Sequence, residues 1–252
     1  MVWYDAIYNI KDGELKRAQS FEESQKYVRL KIRPKNDFIK KVSAAALQLI
    51  FFNVFRAVPW YFIFIKFTNW ILIFTMMATV LEVYLCSTPR LTFTVAPNMH
   101  VCHHIFYTLA LFTNPIVVII YWGLEHPHTE GRMKEMYGDD PKQLAITLNH
   151  MYLVHIVPQV CCLILMVTSN TVMIRRHAKF LVYFALTYAF VNFAATKISG
   201  KPLYGLLTWE DYKTPLIVFA LISFFVSLFY LTILIDEKIT KRSAEKPQKL
   251  KE

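Results

Sequence analysis

The sequence predicts an all-α polytopic membrane protein: a transmembrane bundle of about six helices with both termini on the same side. Three observations carry that expectation. Of 252 residues, 55% are hydrophobic and 15% aromatic, and the mean hydropathy is +0.34, which is more apolar than a soluble domain of this length. Apolar stretches of roughly 18–25 residues recur, each long enough to cross a ~30 Å hydrocarbon core as a helix. The runs do not alternate polar and apolar residues with period two, which argues against a β-barrel, and a helix satisfies its own backbone hydrogen bonds where lipid cannot.

Taken in order, residues 1–42 form a basic extramembrane segment with ten Lys or Arg, concentrated in "KYVRLKIRPKNDFIKK". Its start, "MVWYDAIYNIKDGE", has the features of neither a cleaved signal peptide nor an Arg/Ser-rich transit peptide. The membrane domain, 43–235, divides into spans expected at 43–65, 67–86, 101–123, 150–168, 179–197 and 214–235. Residues 124–149 and the stretch around "KISGKPLYGLLTWEDYK" read as loops on one side. Residues 236–252 are a tail carrying six Lys or Arg. The net charge of +10 thus sits mostly at the two ends. Basic runs beside spans favour anionic lipid headgroups over nucleic acid as the partner. By the positive-inside rule both ends face the cytosol, or the matrix in an organelle. The loops at 124–149 and 198–213 then lie outside.

The second span carries the first hint of chemistry. Thr75, Thr79 and Glu82 fall within about 40° of Thr68 on a helix at 100° per residue. A polar stripe on an apolar helix must face protein or a wet cavity. Thr75 and Thr79 suit back-bonding to the i−4 carbonyl and helix–helix contact. Thr68 stands at the end of the stripe beside Asn69 and Trp70, where a helix N-cap and an interfacial anchor are the plain roles. Topology puts Tyr121, Trp122, Asn149, His150, His155, Tyr204 and Trp209 at the same membrane level. Convergent polar groups at one depth suggest a pocket. Thr68 with His150 would form a minimal nucleophile–base pair, with Asn69 or Asn149 donating to an oxyanion.

Other chemistries fit less well. Glu125, His126, His128, Asp139, Asp140, His150 and His155 cluster near the same loop, but His150 and His155 are about 140° apart on a helix and no compact metal-ligand spacing occurs. No metal or other cofactor is expected. His103 and His104 belong to the opposite surface. The four cysteines form no CxxC pair and read as buried, inert thiols. Arg56, mid-span in "LIFFNVFRAVPWYF" with Asn53 three residues before it, is expected to face inward. Glu82 is its natural counter-ion, and the head of an anionic substrate is the other.

"KFTNWILI", "NPIVVIIYWGLEHP", "LNHMYLVHIVP" and "GKPLYGLLTW", in that order, resemble the androgen-induced gene family and its rolling-stone relatives. The resemblance runs from about residue 60 to residue 230. It implies a multi-span α-helical fold and, from the family's best-understood members, intramembrane hydrolysis of fatty acid esters of hydroxy fatty acids by a Thr nucleophile and a His. Thr68 would be that nucleophile. The family's His follows "LNH" by a few residues. Aligned without a gap, that position here is Leu153, while His150 matches the first His and His155 lies two residues further on. Either histidine is then the candidate base.

Two readings follow. One is an intramembrane hydrolase of a lipid ester, with Thr68 and His150 or His155 catalytic and Asn69, Trp122, Asn149, Tyr204 and Arg56 around the substrate. The alternative is a non-catalytic accessory or structural subunit of a larger membrane complex, for instance in the mitochondrial inner membrane.

Overall fold

The structure, a computed structural model, describes residues 34–57, 59–88, 97–169 and 177–245. Residues 1–33 of the basic segment 1–42 and the last residues of the basic tail lie outside that set. Among the described residues the chain is helical without strands. The helices are α1 (Pro34–Ala57), α2 (Trp60–Ile65), α3 (Phe67–Ser87), α4 (Pro97–Ile120), a π turn (Tyr121–Glu125), α5 (His126–Tyr137), α6 (Pro141–Thr168), α7 (Ala178–Ser199) and α8 (Lys213–Glu245). Six segments are long and apolar enough to cross a membrane: Asp37–Arg56, Phe67–Ser87, Asn98–Glu135, Pro141–Thr168, Ala178–Ser199 and Lys213–Ile235. The chain is a multi-pass, all-helical membrane protein.

Two of the expected boundaries are wrong. The span expected at 43–65 is not one helix. It breaks after Ala57, and Pro59 explains the break, since it lacks an amide N–H and disfavours helix in the residue before it. The break puts Arg56 in the last turn of α1, exposed, instead of in mid-span. A cation suits a helix C-terminus, and a long side chain there can leave the apolar layer. The 124–149 loop is also mostly helix. It holds the π turn, α5 and the first turns of α6. Pro stands in the first turn of both α5 and α6, Glu130 pairs with Lys134 at 2.7 Å, and Asp140 caps α6 by accepting from the Gln143 amide at 2.9 Å. Gly138 follows the last residue of α5, and its lack of a side chain suits the site, because a Cβ there would lie 2.6 Å from the Lys134 carbonyl oxygen.

The polar stripe of α3 is buried as expected, with Thr75, Thr79 and Glu82 at 1% exposure or less. Thr75 and Thr79 donate to the carbonyls of Ile71 and Thr75, and Asn114 of α4 donates to the Thr75 hydroxyl at 2.8 Å. These bonds leave the stripe's middle saturated and join α3 to α4. At its far end Glu82 bonds Lys40 of α1 at 2.5 Å and stands 3.0 Å from His103 of α4. The expected Arg56–Glu82 pair does not form. Cys86, Cys161 and Cys162 are buried as expected, but Cys102 is exposed.

Helices α1, α3, α4 and α6 pack as one group, and α7 packs with α8. The two groups meet along an aromatic seam, in which Phe67, Trp70 and Phe74 of α3 lie against Phe184 and Tyr188 of α7. Phe229 of α8 closes the core against Phe112 of α4.

Candidate functional site

Between the two groups, at the Thr68 end, lies a cavity of about 470 Å³ with a mainly aliphatic and aromatic wall. Such a size and lining suit an apolar ligand oriented by a few polar groups. Thr68 borders it as the second residue of α3, where the chain leaves extended geometry at the capping residue Lys66. Thr68 is therefore inside the helix and not its N-cap.

The histidine facing Thr68 is His155. Its Nε2 lies 3.4 Å from Thr68 Oγ1, and its Nδ1 lies 2.7 Å from the Met151 carbonyl oxygen. A carbonyl only accepts, so Nδ1 carries the proton and Nε2 presents a lone pair to the Thr68 hydroxyl. His150 also borders the cavity but has no such contact with Thr68. The difference follows from α6, which begins at Pro141 and puts His150 in its third turn, not at a span entrance. Tyr121, the first residue of the π turn, stacks on the His155 ring with centroids 3.4 Å apart and planes 9° apart.

The loop between α7 and α8 covers the same end. Tyr204 borders the cavity, and its hydroxyl accepts from the Phe67 amide at 3.0 Å, next in sequence to Thr68. Burial pushes the Tyr204 phenol pKa up, so its proton is retained for donation. The loop is fixed further along at Trp209, whose positive φ of 59° is unusual for a bulky residue. The Trp209 indole donates to Asn192 at 2.7 Å, its amide donates to Thr214, and its carbonyl accepts from Lys197.

Of the other expected site residues, Asn69 is buried and lines the cavity. Trp122 and Asn149 are exposed and do not line it. The π turn directs Trp122 to the outside, where it stacks on His126 and Tyr152. Asn149 lies on the opposite flank of α6 from the cavity. Arg56 is absent from the lining as well. Among the described residues no group of three or more His, Cys, Asp or Glu is placed to hold a metal ion.

Sequence reasoning missed the Met151 carbonyl and the Lys66 and Glu125 contributions to the wall. The carbonyl had a local signal, because a helical His commonly reaches the i−4 backbone. A π turn leaves no comparable mark in one sequence. No family model, curated protein or solved structure matches the chain.

Proposed function

We propose that the chain is an intramembrane hydrolase of a lipid ester, with Thr68 as nucleophile and His155 as general base and acid. The observation that carries this reading is the Thr68–His155 contact at the wall of an apolar cavity, with the histidine tautomer fixed by Met151. The Thr68 oxygen attacks the ester carbonyl while its proton passes to His155 Nε2. The imidazolium so formed keeps its Nδ1–H bond to the Met151 carbonyl. The Tyr204 hydroxyl is the donor offered to the oxyanion. Collapse of the tetrahedral intermediate breaks the ester C–O bond, and His155 returns the proton to the departing alcohol. Water, deprotonated by the same Nε2, then releases the acyl group from Thr68.

The test is covalent labelling of the detergent-purified protein with a fluorophosphonate probe. Thr68→Ala and His155→Ala are expected to abolish labelling, and His150→Ala to retain at least half of it. If the folded wild type does not label, the hydrolase reading fails and the accessory-subunit reading takes its place.

A further inference from the structure

The cavity wall is apolar over most of its area, yet it includes two side chains of opposite formal charge, Lys66 and Glu125. Neither belongs to the Thr68–His155 pair. Lys66 is the extended residue from which α3 starts, and its ammonium reaches toward the covering loop. Its Nζ lies 3.5 Å from the Leu203 carbonyl oxygen and 5.1 Å from the centre of the Tyr204 ring.

Glu125 owes its place to the π turn. Ile120 borders the cavity. A regular α-helix continuing from Ile120 would return Leu124 to that wall, four residues on, and swing Glu125 roughly 100° further round. The wider turn delays the return by one residue. Leu124 is consequently 50% exposed, while Glu125 lines the cavity. A single π turn strains local hydrogen bonding and is frequently found at functional sites. Here its effect is to exchange a leucine for a carboxylate. Glu125 makes no ion pair among the described residues. It shares the cavity wall with Tyr204, over whose ring the Lys66 ammonium lies.

We propose that Lys66 and Glu125 form a headgroup subsite for a zwitterionic amphiphile, Lys66 taking its phosphate or carboxylate and Glu125 its ammonium. The aliphatic wall holds the chain. A single charge in this wall would select an anionic or a cationic lipid. Two opposite charges in one wall match a head that carries both and disfavour a purely anionic head, because the Glu125 carboxylate is then desolvated without a partner. Lys66 is two residues from Thr68, so the charged head sits close to the scissile ester. This subsite deepens the hydrolase reading and rests on it for its catalytic meaning.

The experiment separates the two claims by measuring binding without hydrolysis. Tritiated ether-linked probes with one common alkyl chain carry a phosphocholine, a betaine, a phosphate or a glucoside head. Their affinities are measured on the purified protein and on Thr68→Ala, Glu125→Gln and Lys66→Gln, with Lys66→Arg retaining the charge. Both zwitterionic probes are expected to bind about tenfold tighter than the glucoside, on wild type and Thr68→Ala alike. Whichever of them binds tighter names the anionic group. Glu125→Gln should remove the advantage of the zwitterions over the phosphate probe. Lys66→Gln should weaken all three charged probes that carry an anion, and Lys66→Arg should restore them. Equal binding of zwitterionic and glucoside probes overturns the proposal, as does an unchanged preference in Glu125→Gln. Loss of fluorophosphonate labelling with binding intact would sink the hydrolase reading and leave the subsite standing.

Discussion

His155 is fixed by three contacts: the Met151 carbonyl on Nδ1, the Thr68 hydroxyl opposite Nε2, and the Tyr121 ring on its face. A ring held so has little freedom to leave the line between base and nucleophile, and small displacements there are costly to rate. Tyr121 takes no proton and makes no bond in the reaction, so its role is to position His155. Tyr121→Phe keeps the stack and should label at the wild-type rate. Tyr121→Leu should slow labelling about tenfold or more and weaken probe binding by clearly less than that. Equal slowing of both functions would mean that the tyrosine only supports the fold. At this scale the sequence was partly legible. Thr68 stood out because a hydroxyl beside Asn and Trp is out of place at the start of an apolar run. Its partner did not, because His150 and His155 are separated only by where α6 begins, and Asp140 and Pro141 set that start. Arg56 misled because a proline three residues later decides its depth.

At the scale of elements, one charged cluster joins three helices. Glu82 is fully buried, and it holds Lys40 from α1 and His103 from α4. Lys40 is itself 5% exposed, so neither partner can turn to water without repacking. The sequence marked Glu82 as costly and inward-facing but named the wrong counter-ion. Its true partners come from positions far along the chain, with no local signature to reveal them. Removing one member strands the other charge, which typically costs about 3–5 kcal/mol, whereas replacing the pair with apolar residues of similar volume is often neutral. Glu82→Leu and Lys40→Met are therefore each expected to lower stability strongly in detergent, and the double variant to recover most of the loss. Additive losses in a denaturation series would show that the pair is not a coupled unit.

The whole molecule is two helical groups with the cavity between them, so whatever joins the groups controls the site. At the Thr68 end the links are Tyr204 to Phe67 and Tyr188, whose hydroxyl donates to the Ile65 carbonyl at 3.0 Å. At the Glu82 end, His177 at the head of α7 meets His104 of α4, with ring nitrogens 3.0 Å apart. One of those nitrogens donates and the other accepts, so the contact requires at least one neutral imidazole at the shared position. Apolar periodicity made the helices themselves legible, and α3, α7 and the membrane part of α8 lie where the sequence predicts. The grouping was not legible, because it depends on contacts between helices distant in sequence. It has a pH consequence. Burial, with Lys179 adding repulsion, lowers the His177 pKa to about 4 from an ordinary 6.5. Between those values the unfolded chain binds a proton that the folded one does not. Stability from His177 is thus complete above pH 6.5 and declines as pH falls toward 4, by about 3 kcal/mol at most. Thermal unfolding in detergent should therefore weaken across that window, and amide exchange should rise first at the His104 and His177 ends of α4 and α7. His177→Phe keeps an aromatic ring at the site and cannot titrate, so its profile should be flatter than that of the wild type between pH 6.5 and 4. Parallel profiles would assign the acid sensitivity to other groups and leave the His104–His177 contact as packing alone.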